Sequence, residues 1–195
     1  MSMSATKIAL VVVVVVIIGA ALLVVSMYNS FVGLDQNVNA KWSEVENQYQ
    51  RQSDLIPNLV STVSSAVSVE TKFVKDVTDA RTKWQGAATP LAKDEAGVQM
   101  NNGIAALVSA VAENYPVLQA NTQYVALTDE LSGTQNRIAV ARGNYISAIQ
   151  GYNTAIKMFP GNVFAGMFGF TAKDYYRADL SSIKTPVLGN GTLPS

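Results

Sequence analysis

The sequence predicts an all-α protein: an N-terminal transmembrane helix followed by an antiparallel bundle of long helices. Three observations predict it. A long uncharged apolar run lies near the start, a seven-residue apolar repeat follows it, and the period-two alternation of a half-buried strand is absent. Composition agrees. Of 195 residues, 49% are hydrophobic and 14% charged, against about 25% charged in ordinary soluble domains. Fourteen Lys and Arg balance fourteen Asp and Glu, and there is no Cys and no His. A chain without Cys has no disulfide, thiolate nucleophile or zinc-thiolate site. A chain without His lacks the usual neutral-pH acid–base group and the commonest metal ligand. A chain without excess positive charge has no electrostatic footprint for nucleic acid. No cofactor, metal or nucleic-acid partner is expected.

The anchor comes first. Ile8–Val25 reads IALVVVVVVIIGAALLVV, and no charge occurs between Lys7 and Asp35. As a helix this run spans about 27 Å, close to the ~30 Å hydrocarbon core of a bilayer. Tyr28 suits the membrane interface. The valine run favours a strand in water, but an isolated strand in lipid leaves its backbone groups unpaired. A cleaved signal peptide usually has a shorter apolar region and a small-residue cleavage site, so a retained, single-pass anchor is preferred. A wholly apolar core helix in so small a protein is the weakest alternative. Lys7 and the α-amine precede the span, while Lys41 and then Arg51 follow it. The positive-inside rule therefore leans to an inner N-terminus and an extracytoplasmic helical domain. The expected organisation is a flank at 1–7, a transmembrane helix at 8–28, a helical bundle at 29–170 and a C-terminal segment at 171–195 with a loosely ordered tail.

The helices follow in order. Phe31, Val38, Val45, Gln52, Leu59, Ala66, Phe73 and Ala80 form one heptad set. Tyr28, Asp35, Trp42, Tyr49, Ile56, Val63, Glu70, Val77 and Trp84 form the other. Only Gln52, Asp35 and Glu70 interrupt this coiled-coil-like stripe. It predicts one long helix, or two nearly collinear ones, of roughly 85 Å. Pro57 frees the carbonyl of Ser53; the unbroken heptad phase favours a kink over a new helix. Gln85 to Pro90 is a turn by composition. A second helix carries Val98, Ile104, Leu107, Val111 and Tyr115 and ends near Pro116. A third, capped by Thr122, runs through Leu131, Ile138, Tyr145 and Tyr152 to Phe159, where Pro160-Gly161 ends it. Gly133, Gly143 and Gly151 suggest close helix contact or a bend. Val163–Phe170 is apolar but too short to span a membrane.

Several residue groups invite a functional reading. Arg51, Asp54, Pro57 and Asn58 share one side of the first helix. They form either a polar site at a kink, for a partner or lipid headgroup, or a local arrangement. In the latter, Asp54 and Asn58 satisfy backbone groups freed by the proline and Arg51 orients Asp54; this plainer reading is preferred. Arg137 and Arg142 are expected to bridge to first-helix carboxylates such as Asp54 or Glu46. Lys72, Lys75, Asp76, Asp79, Arg81 and Lys83 read as a solvated face. The close carboxylate pairs, Glu44/Glu46, Asp94/Glu95 and Asp129/Glu130, point to different helix faces and make no dyad. Trp42 and Trp84 fall at core or interface positions. Phe164, Phe168 and Phe170 leave three readings open: a membrane surface, the cap of an apolar bundle end, or a subunit contact.

Tyr28-Asn29, Trp42, Arg51–Val60, Tyr115–Asn121, Asn136–Arg142, Tyr152-Asn153, Phe159-Pro160 and Phe168–Phe170 together resemble, in order, the signature of the bacterial LemA family. The resemblance implies a single membrane helix in a bacterial cell membrane and a bundle of long antiparallel helices. It brings no agreed catalytic activity. Gln135 stands where the family usually has Glu, and Tyr145-Ile146 where it has Tyr-Asn. No GxSxG, P-loop or Rossmann motif occurs, so no enzyme is expected. The expected function is a membrane-anchored structural or interaction protein of the envelope, a scaffold self-assembling as a homo-oligomer. The alternative is an accessory or regulatory subunit of a membrane enzyme, such as an envelope quality-control protease. Its partners would be the lipid bilayer and further copies of itself or, in the alternative, another membrane protein.

Overall fold

The computed structural model describes residues 5–67 and 70–174. Five α-helices account for most of them: α1 (Ala5–Ala66), α2 (Thr71–Gly86), α3 (Pro90–Asn114), α4 (Thr122–Lys157) and α5 (Gly161–Phe168). A 3-10 turn, Pro116–Ala120, joins α3 to α4, and no strand occurs among the described residues. The tail expected to be loose lies, from residue 175 onward, outside them. The contacts divide the chain into two compact units. Their described parts are 5–41 with 144–174, and 42–143.

In the first unit, α1 begins with the apolar run. It is one helix long and apolar enough to cross a membrane, with a stretch of mean hydropathy 3.5, none of it buried. That exposure overturns any reading of the run as core. Further along the same helix Phe31 and Val38 are buried. They pack with Ala148, Ile149, Tyr152 and Ile156 of α4 and Ala165 of α5. Gly161 is required for this closure. A Cβ there would lie 2.1 Å from the Ala155 carbonyl oxygen and 3.3 Å from Phe31 Cζ. Gly169, at φ 76°, ends α5 in the left-handed region.

In the second unit, the expected long or collinear helix is corrected. The chain turns after Ala66 and α2 runs back along α1. Arg81 of α2 donates from Nε to the Ser53 carbonyl at 2.9 Å, and the Trp84 and Tyr49 rings are 6.3 Å apart. The turn falls where Ser, Thr and Val, poor helix formers, crowd between Val60 and Thr71. The heptad phase survives it because Val63 and Val77 both face the core. An apolar repeat reports burial, not direction. The helix passes through Pro57 without ending. α3 then runs antiparallel to α2: Lys93 lies over the Trp84 ring, and Gly103 meets Val77 backbone at its other end. Thr89 caps α3 by accepting from the Ala92 amide at 3.2 Å. For α4 the capping side chain is Asn121, which accepts from the Tyr124 amide at 3.0 Å, rather than the expected Thr122. Gly143 and Gly151 face open space, so they mark no close contact. The close approaches are made at Gly97 and Gly103 instead.

Candidate interaction surfaces and a buried polar network

The centre of the second unit holds a charge network that the heptad pattern does not announce. Tyr49 of α1 donates its hydroxyl to Asp94 Oδ1 at 3.0 Å, and Arg142 of α4 reaches Asp94 Oδ2 at 3.1 Å. All three are buried. The phenol fits because residue 97 is glycine: a Cβ there would stand 2.4 Å from the Tyr49 ring. Burial is the largest influence on Asp94 and pushes its carboxyl up to about 6, against the opposing pull of Arg142 and of the Tyr49 hydrogen bond. Burial likewise pushes the Tyr49 hydroxyl well up, so the phenol stays protonated and donating. One turn away, Lys93 pairs with Glu46 and lies 5.1 Å over the Trp84 ring. Three helices are thus tied at one level by two carboxylates, two cations and a phenol. The arrangement fixes register and offers no reacting atom to solvent.

The cluster around Pro57 is assembled differently from the expectation. The Ser53 carbonyl freed by the proline is taken by Arg81, a residue assigned from sequence to the solvated face. Asp54 does not turn to the backbone; it is exposed and accepts from Gln50 at 2.8 Å. Arg51 does not orient Asp54. Its Nη2 reaches Glu130 of α4 at 2.8 Å. Arg137 reaches the same Glu130 oxygen at 2.8 Å and the Thr134 hydroxyl at 2.8 Å. Arg137 therefore pairs within its own helix and Arg142 with α3, not with Asp54 or Glu46. Pro57 and Asn58 are exposed. Two guanidiniums share one carboxylate at Arg51, Glu130 and Arg137, with exposed Asp54 three residues from Arg51 and exposed Asp129 beside Glu130. Trp42 is half-buried and Trp84 is 1% exposed.

The first unit carries a second cluster where α1 leaves its apolar run. The Tyr28 ring stands 5.2 Å from Phe168 and 5.8 Å from Phe170, both edge-on. Phe170 also meets Phe31 at 5.3 Å. Phe164 packs against the core from its edge. A polar strap lies beside these rings. Buried Asn153 donates to the Lys173 carbonyl at 2.7 Å and accepts from its amide at 2.8 Å. Tyr152 donates to the Thr171 carbonyl at 3.0 Å. The Lys173 ammonium reaches Asp35 at 2.8 Å and lies 5.4 Å over the Tyr152 ring. Sequence reasoning missed Asn153, Lys173 and Asp35 as a group. The signal was there: Asp35 interrupts an apolar stripe, and a carboxylate in such a position needs a cation.

Comparison with known proteins follows this geometry. The profile of the LemA family matches residues 41–188. Two magnetosome proteins of Paramagnetospirillum magneticum strain AMB-1, MamQ 1 and MamQ 2, are each 27% identical to this chain, the match covering 86% of it and 72% of each relative. The magnetosome protein MamQ of Magnetospirillum gryphiswaldense strain MSR-1 is 25% identical with the same coverage.

Proposed function

We propose that this chain, which belongs to the LemA family, is a single-pass scaffold of the bacterial envelope that assembles with further copies of itself. It is a membrane-associated structural protein. The observation that carries the proposal is the continuity of α1. The exposed apolar residues Ile8–Val25 and the buried Phe31 and Val38 belong to one uninterrupted helix. A span that becomes a core helix without a linker holds its domain in a fixed pose. That suits a part in a lattice or ring better than a tethered catalyst. Composition supports a non-catalytic role, since the chain has neither His nor Cys. The buried Asp94 is committed to Tyr49 and Arg142. The charge flanks favour the helical domain on the extracytoplasmic side. The relatives are named as magnetosome proteins.

One observation favours a second reading. Arg51 and Arg137 sharing Glu130 make an exposed cluster of charge suited to a polar partner surface, as an accessory subunit of a membrane enzyme would need. Extraction of the full chain with its native lipid, followed by light scattering and imaging, tests both. Uniform symmetric particles support the scaffold. A fixed-ratio complex with another protein supports the accessory subunit. A lone monomer in lipid overturns both.

A further inference from the structure

We infer that α5 and Phe159, two residues before it, form an interfacial membrane contact: a short helix lying in the headgroup layer beside the anchor and holding the domain against the lipid surface. The inference rests on the membrane-anchored reading of α1.

Three observations carry it. The first is depth. Tyr28 lies three residues beyond Val25, so it stands about 5 Å along the helix from the end of the apolar run. The headgroup layer on each side of the core is about 5–7 Å thick. Phe168, 5.2 Å from the Tyr28 ring, fastens α5 at that level. The second is the face left outside. Phe159 is 83% exposed, Met167 70% and Val163 51%, while Gly161 and Ala165 on the other face are buried. The helix is therefore already ordered by packing, and its outer apolar side gains nothing from the fold. The third is charge. No charged residue occurs from Met158 to Ala172, and Lys157 and Lys173 bound the stretch. Rings and aliphatic chains uninterrupted by charge, bounded by Lys157 on one side and by the Lys173–Asp35 pair on the other, match the order of groups at a membrane surface, where apolar side chains enter the acyl boundary and charged groups stay outside it. At eight residues, α5 is about 12 Å long, too short to span but long enough to lie flat.

The natural chain has no cysteine, so single spin labels can be placed without background. Full-length protein carrying Val163→Cys, Met167→Cys, Val15→Cys or Thr82→Cys is reconstituted in vesicles of phosphatidylcholine and phosphatidylglycerol. Collision with oxygen, which concentrates in lipid, is compared with collision with a water-soluble nickel chelate. Labels at 163 and 167 are expected to favour oxygen several-fold more than the label at 82, at a depth shallower than the label at 15. An aqueous signal at 15 would remove the anchor itself. A lipid signal at 15 with aqueous signals at 163 and 167 overturns the interfacial contact while leaving the anchor standing. Shielding of 163 and 167 from both reagents also overturns it, since a protein surface rather than lipid would then cover α5.

Discussion

The two units solve opposite problems. The unit formed by 5–41 and 144–174 shows large apolar side chains outside: the anchor residues, Met158, Phe159 and Met167. Its ion pair, Lys173 with Asp35, is about one-third exposed. The unit formed by 42–143 buries Val63, Val77, Leu107 and Val111 completely and places an Asp and an Arg among its buried residues. The difference fits the lipid contact proposed for the first unit. A surface of rings and methyl groups is tolerable where lipid is the neighbour and costly where water is. A buried carboxylate and guanidinium gain little net stability; what they supply in the second unit is one permitted register for three helices that heptads alone leave free to slide.

The largest expected effect breaks that register. Arg142→Met leaves Asp94 buried without its cation and should cost about 3–5 kcal/mol at pH 7.5. Urea unfolding followed by tryptophan fluorescence reads it directly, because Trp42 and Trp84 both lie in the second unit. The loss should shrink at pH 5, where Asp94 can take a proton. Amide exchange in 148–156 of the first unit should change little.

The pH dependence of the natural chain is the next test. The Asp94 carboxyl is raised in the folded state to about 6 from 3.8. The folded state therefore holds the proton more tightly than the unfolded chain does. This contribution to stability is fully present below about pH 4 and is lost as pH rises through about 6. At about 1.4 kcal/mol per unit, the change approaches 3 kcal/mol. Asp94→Asn should flatten this part of the profile, measured as the urea midpoint between pH 4 and 7. An unchanged slope would mean that Asp94 titrates as an ordinary surface carboxylate.

The contrast between units also shows what the sequence made legible. The anchor is a continuous apolar run, and the stripe with its aromatic core positions is periodic, which is what burial on one helix face imposes. The turn after Ala66 was hidden because Val63 and Val77 are two heptads apart, so the phase continued through it. Arg81 was hidden because its value lies in an acceptor that Pro57 creates on another helix, Ser53 O. Asp94 was hidden because no repeat marks the position. The three interruptions of the stripe were the better guide. Asp35 meets Lys173, Glu70 stands at the start of α2, and Gln52 is 2% exposed with its Oε1 unpartnered. At Asp35 the simple helix rule yields to a specific contact and at Glu70 to a change of direction, while Gln52 is a buried polar group that no contact on α1 explains.

Two glycines sharpen the comparison at equal chemistry. Gly97→Ala drives a Cβ into the Tyr49 ring, and Gly161→Ala drives one into the Ala155 backbone. Overpacking of this kind costs about 1–3 kcal/mol. Gly161→Ala should sit at or above the upper end, since a carbonyl held in α4 yields less than a side chain. The first substitution should lower the tryptophan-detected midpoint. The second should accelerate amide exchange in 148–156 and leave the tryptophan signal nearly in place. Equal shifts in both probes would merge the two units into one cooperative block.

The smallest stability effect is expected at Arg51. Its side chain is 58% exposed and its partner Glu130 is 37% exposed, and Glu130 keeps Arg137 if Arg51 is removed. Arg51→Ala should therefore cost about 0–1 kcal/mol, less in high salt. That small number makes the residue useful. A substitution that scarcely moves the urea midpoint cannot alter particle size by unfolding the chain. If Arg51→Ala leaves both midpoint and particle size unchanged, Arg51 is a surface pair and nothing more. If it disperses the particles extracted with lipid while the midpoint holds, the shared carboxylate is part of a contact made outside the chain, and the second unit too has a face built for a neighbour.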